Sequence, residues 1–218
     1  MLVPRARGVV RNAPPADDLF RLIHSERDGQ LLLHPDVAGL VLAGALLGEL
    51  VLTGHLTITA AYEARVVSRM PPNDAVCHSV LDHLMRETHP VTIWLPFLAH
   101  SVYGQVADRM VRGGHVVRRE TRRLLTRRVT YRPADMSNAA WPWARLLNRL
   151  NRGDELATSD QLLGGLLQAC DWHRTVLQSR DINVTETLRY EADKAPDAIR
   201  LLVGLTEAAV RNAVNTAT

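Results

Sequence analysis

Residues 37–52 form an almost unbroken apolar run in which Glu49 is the one charged residue. A helix drawn through this stretch has no polar face, and in water such a helix is stable only where other elements cover it on every side. Glu49 interrupts the run before the roughly 20 apolar residues that a bilayer span needs. The segment therefore reads as a buried helix at the centre of a bundle. His34-Pro35-Asp36 opens it and Gly54 stops it. With 218 residues, 46% of them hydrophobic, the chain can surround such a helix without disulfides, as a single domain over residues 1–218. Aromatic residues make up only 5%, and Leu, Val and Ala dominate, which favours helix packing over a β-sandwich. The expected fold class is mainly α: a central apolar helix bundle surrounded by amphipathic helices, with short strands and a projecting basic β-hairpin.

Pro14-Pro15 followed by Asp17-Asp18 starts a first helix, with Leu19, Leu22 and Ile23 as its apolar stripe, and Asp28-Gly29 ends it. Residues 30–33 are a short strand candidate. Residues 55–59 and 62–67 alternate as paired strands should, before Pro71-Pro72. One helix is expected over 74–87, with Val76, Val80, Leu81 and Leu84 at helical spacing. Another begins after Pro90 or Pro96 and ends at Gly113-Gly114. Further helices are expected over 138–150, over 159–170 behind a Thr158–Gln161 capping box, and over 195–214. Cys77 and Cys170 make no disulfide framework, and no N-terminal stretch has the layout of a signal peptide, so a cytoplasmic location is expected.

Charge is segregated along this chain. Residues 109–132 contain nine arginines and one acid, Glu120, a net charge of +8 where the whole chain has +3, which leaves the remainder at −5. Like charges this dense persist most readily where an anionic partner meets them. Val116-Val117 and residues 129–131 are β-prone and flank an apolar centre, Leu124-Leu125. The segment reads as a hairpin with a solvated tip.

At Gly39-Leu-Val-Leu-Ala-Gly-Ala-Leu-Leu-Gly-Glu-Leu-Val-Leu-Thr-Gly-His-Leu56 the sequence resembles the Golgi phosphoprotein 3 family, in particular its actinobacterial branch. Glu49-Leu50 and Leu52-Thr53-Gly54-His55-Leu56 match the family's Glu-Leu pair and the Leu-x-Gly-x-Leu that leads into a strand. Residues 106–116 resemble its helix ending in glycine before a hairpin, and residues 146–167 its Leu-rich helix pair. The similarity covers about residues 18–214. It implies a helical fold with a membrane-facing basic surface and a hairpin used in bilayer contact and homo-oligomer formation. Eukaryotic members resemble adaptors that bind phosphatidylinositol 4-phosphate and the cytosolic tails of glycosyltransferases. This chain departs from that pattern in the pocket. His34 and Ala43 stand where the family has a Trp and an Arg, and His100 and Tyr103 stand where it has two Arg. Ala and Tyr cannot replace the charged fork that holds phosphate oxygens.

The residues then point to a peripheral, anionic-lipid-binding adaptor at the inner face of the membrane. Its lipid contacts would be Arg118, Arg119, Arg122, Arg123, Arg127 and Arg128, with Leu124 and Leu125 inserting and a client protein as a further partner. Each basic side chain near an anionic surface contributes about 1 kcal/mol, and each buried leucine roughly 1.5 to 3 kcal/mol. Three readings compete with this one: a solvated face paired to acidic neighbours, a winged-helix-like nucleic-acid binder, and a scaffold or enzyme of a bacterial biosynthetic pathway. The helix over 97–108 carries few base-reading side chains, which weakens the nucleic-acid reading. Cys77-His78 with Asp82 and His83, and Cys170 with His173, lack standard zinc spacing, and Gly113-Gly114 lacks the Lys and Ser or Thr of a phosphate loop. Neither catalysis, a metal nor a cofactor is expected. Trp141-Pro142-Trp143 is a candidate partner-binding edge.

Overall fold

The computed structural model describes residues 13–123, 126–177 and 182–216. Leu124 and Leu125 lie outside the described residues. The fold is mainly α, with a central apolar helix bundle.

Helix α1 (Pro15–Leu22) leads into α2 (Pro35–Leu52), whose residues from Val37 to Leu50 are all buried. By length and composition α2 could cross a membrane, but here α1, α3, α4, α6 and α9 enclose it. Strands β1 (Leu56–Ile58) and β2 (Ala64–Val66) pair antiparallel, and α3 (Ala75–Arg86) follows, capped by the Asp74 carboxylate on the amides of Val76 and Cys77. Helix α4 (Val91–Arg112) runs parallel to α2 with a constant offset of about 60 residues, since Gly39 abuts Ala99 and Glu49 meets Arg109. Pro96 lies inside α4 and does not start it.

Strands β3 (Val116–Arg123) and β4 (Thr126–Pro133) form the antiparallel hairpin, with Arg118 opposite Tyr131 and Thr121 opposite Arg128. Next come α5 (Met136–Arg152), α6 (Thr158–Ala169), α7 (His173–Leu177), α8 (Ile182–Asp193) and α9 (Asp197–Thr216). Glycines let the central helices approach closely. A Cβ on Gly48 would stand 2.3 Å from Leu162 Cδ2, and one on Gly39 2.6 Å from the Ala99 carbonyl oxygen.

Two local expectations are corrected. Residues 30–33 make no strand, only a single bridge between His24 and Leu31, because Gln30 turns back to bond Ser25 and Asp28. The capping box fails because the helix begins one residue early. Ala157 occupies the N-cap, no side chain caps α6, and Gln161 is buried. Helices α7 and α8 were not anticipated by apolar spacing.

Candidate functional site

The arginine-rich segment divides between the interior and the surface. Arg109, its first member, lies in the last turn of α4 and turns inward. Its Nε donates to Asp17 Oδ1 at 2.7 Å, its Nη1 to Asp74 Oδ1 at 3.0 Å and Glu49 Oε2 at 3.1 Å, and its Nη2 to Glu49 Oε1 at 3.2 Å. Glu49 also accepts from the Ala16 amide at 2.8 Å and the Cys77 thiol at 3.1 Å. Burial pushes the Glu49 carboxyl up, against the pull of Arg109. At Asp74 burial works upward too, yet the bonds from Cys77 N and Arg109 leave it lowered. The Cys77 thiol is raised far above its ordinary range, by burial and then by the Glu49 charge. Glu49, Asp74 and Cys77 lie close enough to hold a metal ion, but the Arg109 guanidinium already serves as their cation.

The base of the hairpin is anchored. Tyr131 is buried on one face of β4 and meets the rings of Phe20, His24 and Tyr103 at centroid distances of 5.5 to 6.2 Å. Its amide donates to the Gly29 carbonyl at 2.8 Å. Gly29 has φ +71°, and a Cβ there would stand 2.4 Å from the Tyr131 carbonyl carbon, so glycine is required on both counts. His24 Nδ1 lies 2.7 Å from the Phe20 carbonyl oxygen and so carries the hydrogen, which leaves Nε2 to accept from the Tyr103 hydroxyl at 2.8 Å. Burial lowers the His24 pKa to about 4 and raises that of Tyr103.

Strand alternation sorts the rest of the hairpin. Val116, Arg118 and Glu120 share the anchored face with Tyr131 and Val129, and Arg118 lies 3.8 Å from Glu120. Val117, Arg119, Thr121, Arg128, Thr130 and Arg132 make up the other face, which carries no carboxylate of its own. Arg119, Arg128 and Arg132 are exposed there. Arg128 bonds Gln30 Oε1, while Arg112 and Arg119 have no carboxylate partner among the described residues. Positions 122, 123 and 127 continue the two strands toward the tip.

The four pocket positions taken from the resemblance are not equivalent. His34 is the exposed N-cap of α2, its ring accepting from the Asp36 amide at 3.4 Å, and His100 is exposed on α4 with Nδ1 2.7 Å from the Pro96 carbonyl oxygen. Ala43 is fully buried, and the Tyr103 hydroxyl is committed to His24. The helix offset puts Ala43 and Tyr103 at one level of the α2–α4 pair. Sequence reasoning missed the buried role of Arg109, and its one available signal was that Glu49 needs a cation inside an apolar helix.

The family model described as Golgi phosphoprotein 3 (GPP34) matches residues 16–217, nearly the whole chain. No curated protein matches significantly.

Proposed function

Because the chain belongs to the Golgi phosphoprotein 3 (GPP34) family, we propose that it is a non-enzymatic adaptor that docks peripherally on anionic lipid through the basic β3–β4 hairpin. The observation that carries this reading is the exposed face holding Arg119, Arg128 and Arg132, whose strands bring no carboxylate and whose nearby acid is Asp28 of the adjoining turn, on a hairpin whose opposite face is fixed to the body by Tyr131. A fixed base holds these cations in one orientation, which lowers the ordering cost of meeting a charged surface. The reading places the protein at the cytoplasmic face of a membrane, with a client protein as its cargo. Several hairpins presented by a homo-oligomer would add avidity.

Ala43 and Tyr103 support binding by charge density over recognition of one headgroup, since neither supplies a cation. Burial raises the pKa of the Cys77 thiol, which argues against this cysteine as a nucleophile, because the thiolate is the reactive form. Flotation with vesicles of graded anionic content tests the proposal. Retention that rises with anionic lipid and weakens steeply with salt is expected. Equal retention on neutral and anionic vesicles at low salt would overturn it, and tight binding to duplex DNA without vesicle retention would favour the winged-helix reading.

A further inference from the structure

A cavity between the C-terminal half of α5 and the start of α6 is separate from the hairpin. Its volume is about 560 Å³, and its polar lining includes Asn148 and Ser159 beside Trp141, Arg145, Arg149, Arg152 and Asp160. The polar groups around it are mostly donors. Arg145 is held by three bonds: Nε to Asp160 Oδ1 at 2.9 Å, and Nη2 to Asp160 Oδ1 at 2.6 Å and to Asp18 Oδ2 at 2.9 Å. Its Nη1, like Trp141 Nε1, is buried with no partner among the described residues. Arg149 Nη1 donates to the Glu155 carbonyl at 3.2 Å, while Arg152 is exposed and has no partner among the described residues.

Helix α6 adds donors of its own. No side chain caps it, and the amides of Thr158 and Ser159 and the Ser159 hydroxyl have no acceptor among the described residues. A buried N–H without an acceptor is costly, and a ligand that brings oxygens removes that cost. Charge narrows the ligand further. Arg145, Arg149 and Arg152 line the cavity with a single carboxylate, Asp160, which leaves its wall with two positive charges in excess. Guanidinium groups beside an uncapped helix N-terminus are suited to phosphate oxygens.

We propose that the α5–α6 cavity binds a phosphate monoester dianion, with Arg145 Nη1, Arg149, Arg152 and the α6 N-terminus donating to its oxygens and Trp141 flanking the esterified group. The volume exceeds what phosphate alone would fill, and it falls in the range of small-molecule sites. A monocarboxylate would leave one of the two positive charges unmatched.

The test titrates inorganic phosphate and glycerol 3-phosphate into the full chain against chloride at matched ionic strength, following tryptophan fluorescence and Tm. Both ligands should give saturable responses. Arg149→Ala with Arg152→Ala should weaken binding at least tenfold without changing the circular dichroism spectrum, and Trp141→Phe should abolish most of the fluorescence change while keeping the Tm shift. Arg145 stays intact because the fold depends on its buried pairs. Absence of a saturable response, or a response unchanged in the double variant, would overturn the proposal. So would loss of phosphate binding on Arg119→Ala with Arg132→Ala, which alter only the hairpin. Vesicles of phosphatidic acid, a phosphate monoester, set against phosphatidylglycerol, a diester, at equal surface charge separate the sources. A preference for phosphatidic acid that vanishes in the double variant assigns the site to a lipid headgroup, and equal retention with glycerol 3-phosphate bound in solution assigns it to a soluble ligand.

Discussion

Replacing Arg109 with Met would leave Asp17, Glu49 and Asp74 converging on a largely buried site with no cation among them. Breaking a buried pair by removing one partner typically costs about 3–5 kcal/mol, so Arg109→Met should lower stability by that order at pH 7 in urea titrations. The loss should shrink on acidification, as the carboxyls protonate and no longer need the guanidinium. His24 gives a second prediction, with a sign that can be worked out. Its pKa of about 4 in the fold lies below the ordinary 6.5, so between these values the unfolded chain binds more protons and stability falls as pH drops. Asp18 acts oppositely, since burial raises it from 3.8 to about 6 and acidification through that window favours the fold. Each effect is on the order of 3 kcal/mol, and the two nearly cancel between pH 4 and 6. His24→Gln should therefore destabilise at pH 7.5, where it breaks the link to Tyr103, and the gap to wild type should close toward pH 4.5. A gap independent of pH would mean that His24 protonates freely in the fold. The sequence displayed the arginine density but not Arg109's partners, because Asp17, Glu49 and Asp74 come from three separate elements that only packing brings together.

At the scale of elements, α2 was legible because all-round apolarity broken by Glu49 short of a bilayer span points to the centre of a bundle. Gly39 and Gly104 separate helix propensity from packing. A Cβ at Gly39 would press on the Ala99 backbone at 2.6 Å, whereas one at Gly104, exposed on α4, meets nothing within 4 Å. Alanine is better than glycine in a helix by about 1 kcal/mol, while overpacking costs typically 1–3 kcal/mol. Gly104→Ala should thus stabilise the protein by about 0.5–1 kcal/mol, and Gly39→Ala should destabilise it despite the same propensity gain. Parallel thermal melts would decide, and stabilisation by both would show that α2 and α4 can move apart cheaply. Helix α8 escaped the sequence because residues 182, 184, 185 and 187 are β-branched and argue against a helix. Its helicity is tertiary: Leu188 is fully buried against Gly164, and Glu191 accepts from the Leu156 amide at 3.0 Å. The hairpin was legible from its β-prone flanks, but its anchorage was not, since nothing local marks Gly29 as the partner of Tyr131.

Across the whole molecule, assigning Arg109 to the interior leaves eight arginines against Glu120 in residues 112–132, a net +7 facing a remainder of −4. The charge asymmetry was readable in the sequence, whereas the sorting of cations between two hairpin faces required the register. That sorting separates binding from stability. Arg119, Arg128 and Arg132 lie on the exposed face, and surface substitutions of this kind usually shift stability by about 0.5 kcal/mol or less each. At about 1 kcal/mol per cation near an anionic surface, replacing all three with Ala should cut vesicle partitioning on the order of 100-fold at low salt, while the urea midpoint moves little. Arg109→Met should do the reverse at the level of mechanism, weakening the fold without removing a surface cation. The screening length falls from about 10 Å at 0.1 M salt to about 3 Å at 1 M, so the difference between wild type and the triple variant should vanish toward 1 M. Retention that survives the triple change at low salt would sink the hairpin as the docking element, and a difference that persists at 1 M would show that its contribution is not electrostatic.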